Sequence, residues 1–172
     1  IMPSLVGSEM CIRDSDVFTI DFPQNITQVH FIKLRLFDTK GKEVANTFYW
    51  RSNDKYEGRK TLTGPTSSGF EDLSKLKQVQ LKTRYKAYQE GDRHFIKAEI
   101  KNPSSTVAFF TQLQLLGQDK KPVRPSFYTD NFFSLLPGES KTVIIETAAS
   151  DMPSEPTFVV KGWNIKPSSF KL

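Results

Sequence analysis

Between Asn102 and Asn164 the chain alternates as strands do, in three blocks separated by turns. The blocks read NPSSTVAFFTQLQLL, YTDNFFSLLPGES and VVKGWN. Val107, Phe109, Thr111, Leu113 and Leu115 alternate with Ala108, Phe110, Gln112, Gln114 and Leu116, the period of a strand with one buried face. Pro137-Gly138 marks a turn, because proline fixes φ and glycine accepts positive φ. Val143 and Ile145 resume the alternation, and Phe158 to Trp163 reads as a closing strand. Upstream, Val79, Leu81, Thr83, Tyr85 and Ala87 share one phase, while Ile96, Ala98 and Ile100 set that of the return strand. The two inward phases are odd and even, so paired positions must sum to an odd number. A two-residue loop, Glu90-Gly91 or Gly91-Asp92, satisfies this, and a three-residue loop would flip one strand. With strands from Val107, Tyr128, Lys141 and Thr157 the count reaches about six or seven, the number of a β-sandwich. Fourteen phenylalanines agree with β structure.

Residues 16–52 read as three further strands, the C-terminal part of another β-sandwich. Val17 to Phe22 stops at Pro23. Ile32, Leu34 and Leu36 are predicted to point inward, with Lys33 and Arg35 outward. Asp38-Thr39-Lys40-Gly41 is a turn, and Val44 to Trp50 returns as the hairpin partner. Residues 53–71 lack an apolar period and read as a linker. Ser68-Gly69-Phe70-Glu71 fits a weak capping box before a short helix, from which Leu73 and Leu76 face the body. A complete sandwich is predicted over 72–166 and a tail over 167–172. The expected fold is therefore all-β: the last strands of one sandwich, a linker, then a whole sandwich, which the resemblance described next implies to be immunoglobulin-like.

The three blocks resemble the C-terminal immunoglobulin-like domain of glycoside hydrolase family two enzymes of the β-mannosidase and exo-β-glucosaminidase type. The resemblance rests on Asn102 to Phe110 with its Ala108-Phe109-Phe110, on Asp130 to Glu139 with its Pro137-Gly138-Glu139, and on Gly162-Trp163-Asn164. It implies a longer, exo-acting, retaining glycosidase releasing β-linked mannose or glucosamine, in which these sandwiches brace a catalytic barrel. A periplasmic or secreted location is favoured on the same ground alone. Retaining hydrolysis needs two carboxylates about 5–5.5 Å apart. In that family the acid/base follows an asparagine on a (β/α)8 barrel, and this sequence has neither an Asn-Glu dipeptide nor a barrel pattern. No catalytic residue is carried over, and the catalytic domain is expected upstream in the same polypeptide. The rival reading is a stand-alone or tandem immunoglobulin-like carbohydrate-binding or adhesion module.

Leu5 to Ser15, LVGSEMCIRDS, resembles one translated frame of a transposase sequencing adapter, so residues 1–15 are expected to be non-native. Cys11, the only cysteine, falls within them. Without Cys11, disulfides and thiol chemistry are excluded. The segment has no basic region or apolar core of a targeting signal, and no stretch approaches a membrane span. On this reading the native chain begins within a longer gene.

The formal charge of +5 raises nucleic acid as a partner. The cations instead alternate along strands, at Lys33 and Arg35 and at Lys82, Arg84 and Lys86, as on a solvated sheet face. No nucleic-acid motif accompanies them. Asp130-Asn131 is the polar pair that could contact sugar or a neighbouring domain. The competing reading is a turn whose side chains bond nearby backbone, with Phe132 and Phe133 as anchors. Trp50 and Trp163 could stack on a sugar, although Trp163 is assigned to the core. His30 and His94 are isolated, so no metal or other cofactor is expected. Asn25-Ile26-Thr27 matches a glycosylation sequon.

Overall fold

The computed structural model describes residues 19–53 and 69–172. The adapter-like segment 1–15 and the linker residues 54–68 lie outside the described residues. Among the described residues ten strands follow in chain order: β1 (Val29–Phe37), β2 (Glu43–Ser52), β3 (Lys82–Glu90), β4 (Arg93–Lys101), β5 (Ala108–Leu116), β6 (Phe127–Tyr128), β7 (Phe133–Leu135), β8 (Ser140–Ala148), β9 (Thr157–Lys161) and β10 (Ser168–Lys171). Two four-stranded antiparallel sheets, β3-β4-β8-β6 and β10-β9-β5-β7, form a sandwich, and β1-β2 is a separate hairpin. The expected all-β sandwich is the fold observed. Its core holds Ile96, Ile100, Leu113, Leu115, Val143, Ile145 and Phe158, each at most 1 % exposed.

The β3–β4 register obeys the parity argument. Glu90 pairs with Arg93, leaving Gly91-Asp92 as the two-residue loop, and Gly91 takes φ +59°. Val79 and Leu81 are buried as expected but precede β3. Val79 instead bridges in parallel to Ile165, donating from N to Asn164 O at 2.7 Å and accepting from Lys166 N at 2.9 Å. Further along, β3 is a sheet edge, so Tyr85 and Ala87 are exposed. Tyr85 covers the core rim, its ring 5.0 Å from Phe158 and 5.6 Å from Phe170.

Within β5 the phase read from sequence fails at one point. Ala108 pairs with Leu135 and Thr111 with Phe133, so Phe109 and Phe110 together oppose Ser134. This is a β-bulge, with Phe110 at φ +58°. Ala108 consequently faces the sandwich core with Leu113 and Leu115, while Phe109 turns away into a second cluster with Val29 and Leu73. One strand thus serves two apolar clusters.

That second cluster is where the hairpin docks. Phe31 lies 5.2 Å and Trp50 5.4 Å from the Phe109 ring. The inward face of β1 is therefore Phe31, Lys33 and Arg35, the reverse of the prediction, and Leu34 and Leu36 are 36 % and 61 % exposed. Alternation identified two faces correctly but not which one the sandwich covers. The Asp38–Gly41 turn is present, with Gly41 at φ +78° and Asp38 Oδ1 accepting from Lys40 N and Lys42 N, each at 2.9 Å.

Three boundaries differ from the sequence reading. Residues 19–22 form no strand. The expected helix is a single 3-10 turn, Glu71–Lys75, whose N-cap is Phe70 with no side-chain capping bond. Leu73 is nonetheless buried and Leu76 packs beside it. Residues 167–172, expected as a tail, contain β10, paired with β9. Phe170 stacks on Phe158 at 4.8 Å, which is enough apolar contact to hold a short edge strand.

Candidate functional site

The Pro137-Gly138 turn positions the charge that joins hairpin to sandwich. Gly138 sits at φ +80°, and Glu139 N donates to Leu136 O at 3.1 Å. The Glu139 side chain folds back to accept from Leu136 N at 2.8 Å. It also faces β1, where Lys33 Nζ lies 2.7 Å from both carboxylate oxygens and Arg35 Nη2 3.4 Å from one. Burial opposes the charged form, but the Lys33 ammonium, the Leu136 N–H and Arg35 outweigh it and hold the carboxyl below its usual 4.5. A depressed folded-state value contributes stability above the unfolded value, lost as pH falls through the folded one. The thermal midpoint should therefore fall more steeply from about pH 5 to pH 3 in the wild type than in Glu139→Gln. Equal slopes would show that Glu139 does not bear on stability.

Asn131 continues the β5 ladder with its side chain. Its Oδ1 accepts from Leu113 N at 2.9 Å and its Nδ2 donates to Leu113 O at 3.0 Å. The backbone cannot do this, because Phe132 at φ +58° turns it out of strand geometry. Asp130 Oδ1 accepts from Asn131 N at 2.7 Å, and Asp130 forms an ion pair with Lys141. These bonds are those of the turn reading. Of the two anchors expected beside the pair, Phe133 is 9 % exposed but Phe132 is 51 % exposed.

Asp130 and Glu139 also line a cleft of about 510 Å³ between hairpin and sandwich, with Lys33, Asn46, Trp50, Phe110 and Phe132 among its walls. Asn131 is not part of that lining. The bulge presents Phe110 to the cleft, and β2 presents Trp50, their rings 6.0 Å apart and edge to face. Composition could not show this site, since it joins residues 33–50 to residues 110–142. The signal available in the sequence was the adjacent Phe109-Phe110 pair, which an alternating strand does not need.

Gly162-Trp163-Asn164 closes the other side of the second cluster. Asn164 is 4 % exposed. Its Oδ1 accepts from Phe109 N at 2.9 Å, and its Nδ2 donates to Lys77 O at 2.9 Å and Val107 O at 2.8 Å. Trp163 is not core: it is 59 % exposed. Its Nε1 donates to Leu73 O at 2.8 Å and its ring meets Phe109 edge-on at 6.5 Å, so it latches the 3-10 turn from outside. Trp163→Ala should cost about 1–2 kcal/mol, a hydrogen bond and some packing, against about 3–5 for an emptied core site. Denaturant melts measure the difference.

His30 is buried beside the Phe22 ring at 5.5 Å. Among the described residues no three His, Cys, Asp or Glu gather as metal ligands, and no helix is long and apolar enough to cross a membrane.

A family model for the exo-beta-D-glucosaminidase Ig-fold domain matches residues 61–165. The chain is 30 % identical over 149 residues to an exo-beta-D-glucosaminidase of Streptomyces avermitilis, covering 81 % of this chain and 16 % of that protein. It is 28 % identical over 158 residues to one from Amycolatopsis orientalis, covering 85 % and 15 %. The crystal structure of the Amycolatopsis orientalis exo-chitosanase CsxA superposes with a TM-score of 0.77 at 24 % identity, over 90 % of this chain and 19 % of that one.

Proposed function

The chain belongs to the exo-beta-D-glucosaminidase Ig-fold domain family, and on that footing we propose that it is the non-catalytic accessory region of a longer glycoside hydrolase acting on β-glucosaminides. The observation that carries this is the family match together with the chain's span of only 15–16 % of the curated relatives it matches. Glucosamine is favoured over mannose because both relatives are glucosaminidases. Glu139 in the cleft is unsuited to acid catalysis: Lys33, the Leu136 N–H and Arg35 hold its carboxyl below the usual range, whereas a general acid must hold its proton.

In this reading the sandwich braces a catalytic barrel of the same polypeptide, and 16–52 is the end of a preceding sandwich. The outer face of the hairpin supports the second point. Leu34, Leu36 and Tyr49 lie exposed on it, an apolar strip of the kind that a packed neighbouring sheet covers. Asp130 and Asn131 belong, in the same reading, to the edge facing sugar or barrel.

Residues 16–172 alone should not hydrolyse a nitrophenyl β-glucosaminide, while the longer polypeptide should. Turnover by the pure chain, abolished by a single carboxylate substitution, would overturn the assignment.

A further inference from the structure

We infer that the cleft between hairpin and sandwich is a pyranose-binding subsite that holds a β-linked oligosaccharide by stacking rather than by charge. Its volume, about 510 Å³, falls in the range of small-ligand sites. Three aromatic side chains on its walls remain open to solvent: Trp50 at 43 %, Phe110 at 39 % and Phe132 at 51 %. They are contiguous, with Phe110 5.6 Å from Phe132 and 6.0 Å from Trp50.

Two of them are held there at a conformational cost. Phe110 and Phe132 both have φ +58°, a region costly for bulky residues and concentrated at binding and catalytic sites. Packing into the sandwich core does not explain it, because both rings point outward. The bulge and the Asn131 side-chain ladder hold that backbone in place, so the rings are presented in fixed positions.

The charges decide the ligand class. Lys33 pairs with Glu139, Arg35 with Glu43 and Lys141 with Asp130. Three cations against three carboxylates leave no net field for a phosphate or a polycation. A pyranose needs none. Its C–H face packs on a flat ring, and its hydroxyls both donate and accept. Here they meet the Asn46 amide, the Ser134 hydroxyl and the rim carboxylates, which line the cleft. The inference rests on the glycosidase reading only for the choice of sugar.

Calorimetric titration of residues 16–172 with glucosamine hexasaccharide and with N-acetylglucosamine hexasaccharide tests it. Both should bind saturably, with affinities changing less than about twofold between 50 and 500 mM salt. Phe132→Ala and Trp50→Ala should weaken binding about tenfold or more. Phe132→Leu, which keeps apolar bulk without a flat face, should weaken it similarly while leaving the thermal midpoint in place. Phe127→Ala, at an exposed phenylalanine on β6 outside the cleft, should have no effect. No saturable binding, binding of the charged sugar alone that salt abolishes, or equal loss in Phe127→Ala would each overturn the subsite. Those outcomes leave the glycosidase reading intact, since turnover by the longer polypeptide tests that separately.

Discussion

Asn164→Ala should destabilise the sandwich by about 3–5 kcal/mol, because it strands a buried backbone donor and a buried backbone acceptor together with a part-buried second acceptor. Phe109 N loses its acceptor, and Lys77 O and Val107 O lose the donor they share. Two of these groups flank the β5 bulge, where the strand ladder cannot supply replacements. Asn164→Asp keeps the acceptor but aims a carboxylate at two carbonyl oxygens, so it should be about as damaging. Guanidinium melts of both variants are the measurement. A loss below about 1 kcal/mol in Asn164→Ala would mean that water reaches the freed groups.

Gly162→Ala should cost about 2–3 kcal/mol through overpacking. A Cβ there would sit 2.9 Å from Phe110 O, 3.0 Å from Phe109 O and 2.4 Å from Ile165 Cδ1. The isoleucine methyl can rotate away, but the carbonyls belong to the bulge and cannot. Relief requires β5 and the Gly162 turn to separate, stretching the 3.0 Å bond from Trp163 N to Phe109 O. Thermal melts should show the loss, and an unchanged midpoint would show that the bulge yields.

Sequence patterns located what depends on neighbours along the chain. The two-residue length of the β3–β4 loop was legible because alternation on both sides fixes the parity of the register, while the choice of Gly91-Asp92 over Glu90-Gly91 came from the structure. The Pro137-Gly138 turn was legible for the same local reason. The cleft was not. Ile32, Leu34 and Leu36 form as good an apolar face as Phe31, Phe48 and Trp50, and only the partner surface decides which is covered. At Ala108-Phe109-Phe110 both faces are apolar, so a bulge leaves no break in the pattern. A tryptophan on an alternating strand reads as core, but the Trp163 ring has one polar handle, and its bond to Leu73 O places it at the rim.

The parallel bridge between Val79 and Ile165 bears on biosynthesis. At roughly 5–20 residues per second, the ribosome adds Ile165 on the order of 4–17 s after Val79. The β3–β4 hairpin can form within that interval, since all its contacts are local. Val79 cannot yet bridge to Ile165, and Asn164, which joins the entry segment to β5, does not yet exist. The nascent chain therefore carries an open seam of apolar side chains for seconds, long compared with the microseconds a hairpin needs. Chaperone holding or rapid aggregation would act at this seam, and slowing translation between the two positions would lengthen the exposure.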